Sequence, residues 1–444
     1  MNALLEAWAR YGERPALIWQ DRPYSYRWLG EQTVGLRTEL NHGRRPGAGQ
    51  VVALAADYSP MSVVWLLALL ESRAVVAPLT SAFDAQRPEL YALGEVELEV
   101  ALDSEDRATT RSFRPEPRQP ILQKLKQEGR SGLLLYSSGS AGKIKAVVHD
   151  GARFLGKYRT PRRPYVTIPF MLFDHVGGLN TLLHTLSSGG TVVPVFDRSP
   201  AAVAKVVARH RVEVLPTTPT FLNLLLLADH PRDDLSTLKI LAFGAERMPA
   251  GTLARVQEAF PQVELVQNYG LSEVGILKTE AESPGSLWIK LGGDGYRARV
   301  RDGLLEIQAE TAMLGYLNEE SPFTEDGWLR TGDRVEVQGE YLRILGRASD
   351  LIVVGGEKVY PAEVEDLIAL MPGVVEVVVS GEANAITGNV VKAEVRLSTT
   401  ESRGEFKVRM NQHLGGRLLP YKIPQRVVLS QEPLQTARLK KRVR

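Results

Sequence analysis

The chain has 444 residues, of which 44% are hydrophobic and 24% charged, a composition typical of a globular protein with two or more domains. Its 54 lysines and arginines nearly balance 52 aspartates and glutamates, so the net charge of +2 disfavours nucleic acid as the main partner. The sequence contains no cysteine, which excludes disulfides and a cysteine nucleophile, so any reacting thiol must come from a partner.

The first residues show no basic segment followed by an apolar run, as a signal peptide would. The longest apolar stretch, near residues 63–70, is too short for a membrane span. We therefore expect a soluble, unprocessed, cytoplasmic protein.

Several short apolar runs end in small or polar residues and predict buried strands, at residues 133–136, 212–215, 238–243 and 263–266. Helical patterns at 201–207 and 249–260 lie between them. This alternation predicts an α/β fold, with a large N-terminal domain of mainly parallel sheets flanked by helices. Ligands of such sheets bind at the carboxyl ends of the strands.

The pattern changes after Trp328 to short strands, at residues 341–345 and 351–354, and then to a helix that opens at Pro361. This helix carries an apolar stripe of Val364, Leu367, Ile368 and Met371. Strand-like runs follow at 374–379 and 390–397. We predict a small mobile α+β domain over residues 347–444, after a large domain over residues 1–346.

Residues 136–145, with the sequence YSSGSAGKIK, follow a predicted strand and combine hydroxyl groups, two glycines and two lysines. Small residues let backbone N–H groups approach phosphate oxygens, and lysine adds positive charge. The segment therefore favours a triphosphate cradle, and a flexible Ser/Gly loop is the alternative for this motif alone.

Polar groups also follow other predicted strands, in FGAE at residues 243–246 and QNYGLSE at residues 267–273. A later segment, GWLRTGD at residues 327–333, ends in a carboxylate. Backbone and tyrosine groups can flank a base, a serine can contact a phosphate, and a carboxylate can hold Mg²⁺ on phosphates.

Six motifs in this order resemble those of one family. They are the phosphate loop [YF]-T-S-G-[ST]-T-G-x-P-K-G at residues 136–146, Y-G-x-[ST]-E at 269–273, G-Y at 315–316, W-x-x-T-G-D at 328–333, G-R-x-x-D at 346–350, and G-G-E-x-[VI]-x-P-x-E-[VI]-E at 355–365. The chain resembles the adenylate-forming (AMP-binding) superfamily of acyl-CoA and aryl-CoA synthetases, peptide-synthetase adenylation domains and luciferases.

The resemblance implies that the protein uses ATP and Mg²⁺ to convert a carboxylic acid to an acyl adenylate and then forms a thioester. It predicts an acyl- or aryl-CoA ligase, and the short N-terminal region favours an aromatic or short-to-medium acid. One alternative is a stand-alone adenylation enzyme that loads an aryl or amino acid onto the phosphopantetheine of a separate carrier protein. Another is a catalytically degenerate nucleotide-binding homologue, because Ile144, Ala146, Ser349 and Leu439 depart from the motifs.

The resemblance also implies roles for individual residues. The nucleotide set comprises Ser137, Ser138, Gly139, Ser140, Gly142 and Lys145 at the β- and γ-phosphates, Ser272 at the α-phosphate, Gly244, Ala245 and Tyr269 at adenine with Asn268 and Gly270 nearby, and Asp333 and Arg347 at the ribose. Glu273 is the implied Mg²⁺ ligand.

The last family motif, T-x-x-G-K, is degenerate here as TARLK at residues 436–440. Lys440 then corresponds to the catalytic lysine that bridges the carboxylate and the α-phosphate. Lys441 is the alternative occupant, and a basic tail without function is the alternative role. The family rotates its small domain about a position that corresponds to Ser349, where Asp or Lys is usual.

The acyl pocket is implied near residues 169–178, PFMLFDHVGG. CoA ligases carry F-H-x-x-G here and amino-acid adenylation domains carry F-D-x-S. We assign His175 to the acyl and thiol passage, and the pocket lining to Phe173, Asp174, Gly178 and Leu271. Asp174 either contacts a polar substituent of the acid or caps a helix.

Overall fold

The computed structural model of the chain describes residues 2–138, 143–228, 232–293 and 295–434. The strands before residue 268 are β1 (Pro15–Trp19), β2 (Arg22–Ser25), β3 (Val51–Ala55), β4 (Val75–Leu79), β5 (Leu98–Leu102), β6 (Ala108–Ser112), β7 (Gly132–Ser138), β8 (Ile144–Asp150), β9 (Val166–Thr167), β10 (Thr191–Val192), β11 (Val214–Thr217), β12 (Ile240–Phe243) and β13 (Glu264–Gln267). The later strands are β14 (Tyr269–Leu271), β15 (Gly275–Ala281), β16 (Ile289–Gly292), β17 (Tyr296–Arg301), β18 (Leu304–Ala309), β19 (Gly315–Tyr316), β20 (Leu329–Gln338), β21 (Tyr341–Arg347), β22 (Ile352–Val354), β23 (Glu357–Val359), β24 (Val374–Asn384), β25 (Gly388–Leu397) and β26 (Arg426–Leu429).

The α-helices of the described ranges alternate with these strands in the first two thirds of the chain. They are α1 (Asn2–Tyr11), α2 (Tyr26–Asn41), α3 (Pro60–Glu71), α4 (Arg87–Leu93), α5 (Pro120–Gln127), α6 (Gly151–Gly156), α7 (Val176–Ser187), α8 (Pro200–His210), α9 (Pro219–Leu227), α10 (Ala250–Ala259), α11 (Pro361–Ile368) and α12 (Arg403–Leu414). None of these helices is long and apolar enough to cross a membrane.

Two seven-stranded sheets form the α/β part and confirm the predicted fold class. The first has the order β13-β12-β11-β9-β10-β1-β2, and all its neighbours are parallel except the hairpin β1–β2. The second has the order β19-β8-β7-β4-β3-β5-β6, with parallel strands at its centre and antiparallel pairs at both edges. The predicted helices at 201–207 and 249–260 correspond to α8 and α10.

Helix α3 shows why these layers hold together. Ser59 caps its first turn in a capping box with Ser62, and Pro60 supplies a preset φ angle at the first helical position. Every residue from Val63 to Leu70 is buried within the main core. Burial of each large apolar side chain stabilises the fold by about 1.5–3 kcal/mol. The run that is too short to span a membrane is therefore a core helix.

The third sheet differs from the expectation of mainly parallel sheets. Its order is β14-β15-β16-β21-β20-β18-β17, and all its neighbours are antiparallel. Strands β17 and β18 are joined by Asp302 and Gly303, with φ angles of 53° and 73°. Positive φ at both central residues defines the hairpin turn that Asp-Gly favours. This tight turn makes β17 and β18 antiparallel neighbours.

The fourth sheet, with the order β23-β22-β25-β24 and β26 added beside β25, packs with α11 and α12 into a separate small core. On α11 the predicted apolar stripe is confirmed, because Val364 and Ile368 are fully buried and Leu367 packs against them. The predicted domain boundary at residue 346 lies inside β21, which runs on to Arg347. The division into two domains stays a prediction.

A bidentate ion pair joins the small α+β unit to the rest of the chain. Arg247 Nη1 and Nη2 lie 2.7 and 2.5 Å from the two carboxylate oxygens of Asp366, on α11. A second contact joins the same two parts of the chain: the Asn223 amide on α9 donates to the Val375 carbonyl oxygen at 2.8 Å. Paired, two-point Arg–carboxylate contacts fix orientation as well as adding energy.

We therefore predict that this pair restricts the orientation of the small unit. Because the chain lacks cysteine, spin labels can be attached uniquely at Leu227→Cys and Val408→Cys, two exposed positions on either side of the contact. Arg247→Glu should broaden the label-to-label distance distribution measured by double electron–electron resonance, since it removes a coupling of about 0.5–3 kcal/mol. The charge-swapped variant Arg247→Glu/Asp366→Arg should restore it. Equal widths in all three proteins would contradict the prediction.

Candidate active site

The predicted phosphate loop connects β7 to β8, which pair antiparallel. Their register places Ser137 opposite Lys145 and Ser138 opposite Ile144, so the two ends of the loop are held together. Ser137 and Lys145 are both half-buried at the mouth of this hairpin. Gly139, Ser140 and Gly142 lie outside the described residues, as does the side chain of Ser138, and their roles stay predictions.

Strand β19 pairs with the other edge of β8 and brings a second segment to the phosphate loop. Tyr316 pairs with Val147 in the ladder. Asn318, just beyond, accepts from the Ala146 N–H at 3.0 Å and donates to the Ile144 carbonyl oxygen at 2.7 Å. These contacts fix the backbone on either side of Lys145.

Lys145, Tyr316 and Glu273 form one cluster. The Lys145 ammonium lies 5.1 Å from the centre of the Tyr316 ring, within cation–π range. The Tyr316 hydroxyl donates to Glu273 Oε1 at 2.5 Å. Burial, and then the neighbouring Glu273 carboxylate, raise the pKa of Tyr316, which keeps its hydroxyl as a donor. The predicted phosphate lysine and the predicted metal ligand are therefore neighbours.

His149 holds the backbone next to Glu273. It is almost completely buried on β8, with Nε2 at 2.6 Å from the Ser272 carbonyl oxygen and Nδ1 at 3.2 Å from the Thr311 carbonyl oxygen. Burial lowers the pKa of His149, and a neutral imidazole donates from one nitrogen only. The shorter contact assigns the proton to Nε2. His149 thereby anchors the corner that carries Ser272 and Glu273.

A second charged cluster joins the antiparallel strands β20 and β21 to β14. Asp333 pairs with Arg347 across the ladder, and Arg347 Nε lies 3.0 Å from Asp333 Oδ1. Tyr269 donates to Asp333 Oδ2 at 2.5 Å. Burial raises the pKa of Asp333, and the Arg347 charge and the Tyr269 hydroxyl oppose that shift. The residues predicted at ribose and adenine are thus brought together.

Gly244 and Ala245 follow β12, and Asn268 follows the adjacent β13. A Cβ atom at Gly244 would lie 2.8 Å from the Asn268 carbonyl oxygen, so the two segments are in backbone contact. Ala245 has a φ of 66°, a left-handed conformation that costs free energy in a residue other than glycine. Gly270 is the second residue of the Y-G-x-[ST]-E motif. A Cβ atom there would lie 2.7 Å from the Gly275 carbonyl oxygen, so this backbone contact is also close. All four lie at the carboxyl ends of parallel strands or just beyond.

His175 is the N-cap of α7: its Nδ1 accepts from the Gly177 N–H at 3.0 Å, and it remains half-buried. Leu271 is also half-buried, at the end of β14. Ser349 is exposed in the short turn after β21, where its hydroxyl donates to Asp350. Their predicted roles in the thiol passage, the pocket and the hinge remain predictions, and Lys440 lies outside the described residues.

Three residues assigned to the acyl pocket instead make interior contacts. Phe173 is fully buried edge-on against Tyr58, with ring centres 5.3 Å apart. Asp174 is 1% exposed, and its Oδ2 accepts from the Thr80 N–H at 2.9 Å and the Thr80 hydroxyl at 2.6 Å. A Cβ atom at Gly178 would lie 2.1 Å from a main-chain oxygen. These contacts favour a structural role, and the assignment of the three residues to the acyl pocket stays a prediction.

Sequence reasoning missed several residues of this site. Tyr316 was noted only as part of a motif, and His149 and Asn318 were given no role. The position of His149, four residues after Lys145 on a strand that continues from the phosphate loop, is a signal that could have indicated it.

Two known protein families match the sequence of this chain. The family described as AMP-binding enzyme matches residues 4–292, and the AMP-binding enzyme C-terminal domain matches residues 363–441. The chain belongs to the AMP-binding enzyme family, which confirms the adenylate-forming superfamily that the motifs predicted.

Two relatives and one solved structure illustrate the similarity of this chain to known proteins. An indoleacetate–CoA ligase of Aromatoleum aromaticum is 31% identical over 389 residues, which cover 80% of this chain and 71% of that protein. A 2-succinylbenzoate–CoA ligase of Bacillus subtilis is 30% identical over 67% of this chain and 65% of its own length. The structure of the anthranilate CoA ligase AuaEII with anthranoyl-AMP aligns with a TM-score of 0.81 over 99% of this chain and 95% of that chain, at 19% identity, and supports the fold.

We predict that Asp174 supports stability and does not select the acid. Asp174→Ala leaves the buried Thr80 N–H and hydroxyl without this acceptor, so the free energy of unfolding should fall by about 1–3 kcal/mol. Urea unfolding measures this change. The variant's activity should fall equally for an acid with a polar substituent and for its unsubstituted analogue.

The control is Thr80→Val, which removes the same hydroxyl contact from the other side. In a double-mutant cycle the two losses should not add, because they share one interaction. A loss of activity confined to the substituted acid would instead place Asp174 in the pocket.

Proposed function

We propose that this protein is an AMP-forming acid–thiol ligase that activates an aromatic or short-to-medium carboxylic acid with ATP and transfers the acyl group to coenzyme A. The contact of Lys145 with Tyr316, and of Tyr316 with Glu273, carries this proposal. Through Tyr316, this contact brings the lysine that is predicted to bind phosphate close to the carboxylate that is predicted to bind Mg²⁺, at the end of the predicted phosphate loop. The aryl acids in the names of the relatives support an aromatic substrate.

The donor set suits Mg²⁺ that arrives with the nucleotide. Mg²⁺ is usually bound by one or two carboxylates together with substrate phosphates. Glu273 supplies such a carboxylate, and no group of three or more His, Asp or Glu side chains within the described ranges could hold a metal ion alone. When bound there, Mg²⁺ neutralises charge on the phosphate oxygens.

In the first half-reaction a carboxylate oxygen of the acid attacks the α-phosphorus, and the bond to pyrophosphate breaks. Ser137 and Lys145 bind the leaving phosphates, and Ser272 contacts the α-phosphate. Asp333 binds the ribose hydroxyls through lone pairs that Tyr269 and Arg347 leave free. The protein's work here is positioning and charge stabilisation, which dominate phosphoryl and nucleotidyl transfer.

In the second half-reaction the thiol sulfur attacks the acyl carbon, the bond to AMP breaks, and the thiol proton leaves to solvent. The half-buried imidazole of His175 lines the passage for the acyl group and the thiol. The small domain, residues 347–444, turns about Ser349 between the two half-reactions, so that Lys440 serves only the first. Such a movement has to break the contact between Arg247 and Asp366.

The decisive test is a screen of carboxylic acids by ATP–pyrophosphate exchange, followed by detection of the CoA thioester by mass spectrometry. Exchange with at least one acid and a thioester with free CoA support the proposal. Exchange without CoA transfer would favour a carrier protein as acceptor. No exchange with any acid would favour a degenerate nucleotide-binding homologue and overturn the proposal.

The metal assignment predicts that Glu273→Gln loses most of its exchange activity at limiting Mg²⁺. The loss of one charge at the phosphates should lower the exchange rate by about 100-fold or more. Tyr316→Phe is the matched control, since it removes the hydrogen bond but keeps the carboxylate, and about a 10-fold loss is expected. Full exchange in Glu273→Gln would sink the metal assignment.

The tail assignment predicts that Lys440→Ala separates the half-reactions. Adenylation should fall by about 100-fold or more, because a charge at the developing anion is worth roughly 3 kcal/mol. Thioester formation from synthetic acyl-AMP should continue at a near wild-type rate. Lys441→Ala is the control; if it alone abolishes adenylation, the catalytic lysine is Lys441, and if neither variant matters, the tail has no catalytic role.

A further inference from the structure

An irregular segment, residues 168–175, connects β9 to α7 and ends at His175, the residue that is predicted to line the thiol passage. Most of this connecting segment is buried, and Met171 and His175 are half-buried. Buried backbone outside helices and strands has no regular partners for its carbonyl oxygens, so other groups must donate to them. The source of these donors decides how the position of His175 is fixed.

Two side chains donate to neighbouring carbonyl oxygens of the connecting segment. The Tyr58 hydroxyl donates to the Met171 carbonyl oxygen at 2.8 Å. Arg198 Nε donates to the Phe170 carbonyl oxygen at 2.9 Å. Tyr58 is almost completely buried, three residues after β3, whereas Arg198 is half-buried in the loop between β10 and α8. Because β3 and β10 belong to different sheets, the connecting segment is tied to both sheets.

A third contact holds the connecting segment next to His175. Asp174 Oδ2 accepts from both the N–H and the hydroxyl of Thr80, which directly follows β4, the parallel neighbour of β3. Between the contacts, the Phe173 ring packs edge-on against the ring of Tyr58. Residues that follow three different strands therefore hold the segment along its length.

The connecting segment also packs against the first turn of α7. A Cβ atom at Gly178 would clash with the Leu172 carbonyl oxygen and with the Tyr58 hydroxyl, so glycine is needed for this close approach. The His175 N–H donates to the same Leu172 carbonyl oxygen at 3.0 Å, and the His175 imidazole caps the helix. The segment and the start of α7 therefore form one closely packed unit, which carries His175.

The residues that are predicted to bind the nucleotide lie on other elements. Lys145 is on β8, Glu273 follows β14, and Asp333 is on β20. The hydrogen bonds of Tyr58 and Arg198 go instead to the segment that leads to His175. A change at either side chain should therefore act on the predicted thiol passage rather than on nucleotide binding.

We propose that Tyr58 and Arg198 are positioning residues for the second half-reaction, because they hold the connecting segment so that His175 lines the path of the thiol. Both act through the backbone of the segment and not by contact with the substrate. Attack of sulfur on the acyl carbon needs a narrow range of distances and angles, and a displacement of about 1 Å can slow such a step about 100-fold. The inference rests on the proposed ligase function and on the role proposed there for His175.

The first test is Tyr58→Phe, which removes only the hydroxyl and keeps the ring against Phe173. The two half-reactions are measured separately with the acid found in the exchange screen. ATP–pyrophosphate exchange reports the first, and thioester formation from the synthetic acyl-AMP and CoA reports the second. The rate of exchange and the KM for ATP should be unchanged, while kcat for thioester formation should fall by about 10- to 100-fold.

Tyr26→Phe is the matched control. Tyr26 is also fully buried in the main core, and its hydroxyl donates to the Gly190 carbonyl oxygen at 2.6 Å, beyond the C-terminal end of α7. Tyr26→Phe and Tyr58→Phe should lose similar amounts of stability, measured by urea unfolding, because each loses one buried hydrogen bond. Only Tyr58→Phe should slow thioester formation.

Two further measurements connect the effect to His175. His175→Asn removes the imidazole but keeps a side chain that can cap α7. In a double-mutant cycle, the losses of thioester formation in His175→Asn and Tyr58→Phe should not add, because both act on one group. Arg198→Met should also slow thioester formation alone, and it applies the same test if Tyr58→Phe does not fold. Arg198→Lys, which keeps a donor, should restore most of the rate.

The outcomes separate this inference from the proposed function. If the wild-type protein shows no exchange with any acid or forms no thioester with CoA, the proposed function is overturned and this inference with it. If the wild type forms the thioester and the variants of Tyr58 and Arg198 keep its rate, or lose both half-reactions by the same factor, only the inference is overturned. Additive losses with His175→Asn, or an equal loss in Tyr26→Phe, would leave Tyr58 a structural role alone and also overturn it.

Discussion

The pairing of β8 with β7 on one side and β19 on the other is the constraint on which the rest of the site depends. On the first side it joins the two ends of the predicted phosphate loop and sets Lys145 opposite Ser137. On the second side it carries Tyr316 to the same place, and Tyr316 holds Glu273. A slip of one residue in this ladder would turn Lys145 to the other face of the sheet, because side chains alternate along a strand.

Burial strengthens these few polar contacts, and it also makes any buried polar atom without a partner costly in free energy. His149 and Asp333 are each less than a tenth exposed, and every polar atom they keep inside must find a partner. His149 finds it in the Ser272 carbonyl oxygen, and Asp333 finds it in Tyr269 and Arg347. The partners belong to segments that are predicted to bind the nucleotide, so the same hydrogen bonds satisfy buried groups and hold the candidate site in place. Such preorganisation is what electrostatic catalysis requires.

Local patterns in the sequence predicted the parallel strands, since buried runs such as 133–136 are apolar on both faces and lie inside β7. They also predicted α11 from its proline and its apolar stripe. They did not predict the antiparallel third sheet, whose strands are half-exposed, nor the two-residue strand β19, which has no period to detect. The contact of Tyr316 with Glu273 spans 43 residues of chain and exists only because β19 pairs with β8. The order of the motifs was enough to predict Glu273 as a site residue, whereas its partner Tyr316 could be identified only from the fold.

The orientation of the small unit is tied to the proposed adenine segment by chain connectivity. Arg247, which pairs with Asp366 on α11, is two residues beyond Ala245, whose backbone has a left-handed φ of 66°. A shift in the backbone at Gly244 and Ala245 would be expected to displace Arg247 and so to alter its contact with the small unit. Suppose that a ligand binds at Gly244 and Ala245 and has different affinities for two positions of this backbone. It would then favour one orientation of the small unit by the difference between its two binding free energies. The ion pair thus links the chain just after the predicted adenine segment to the small α+β unit.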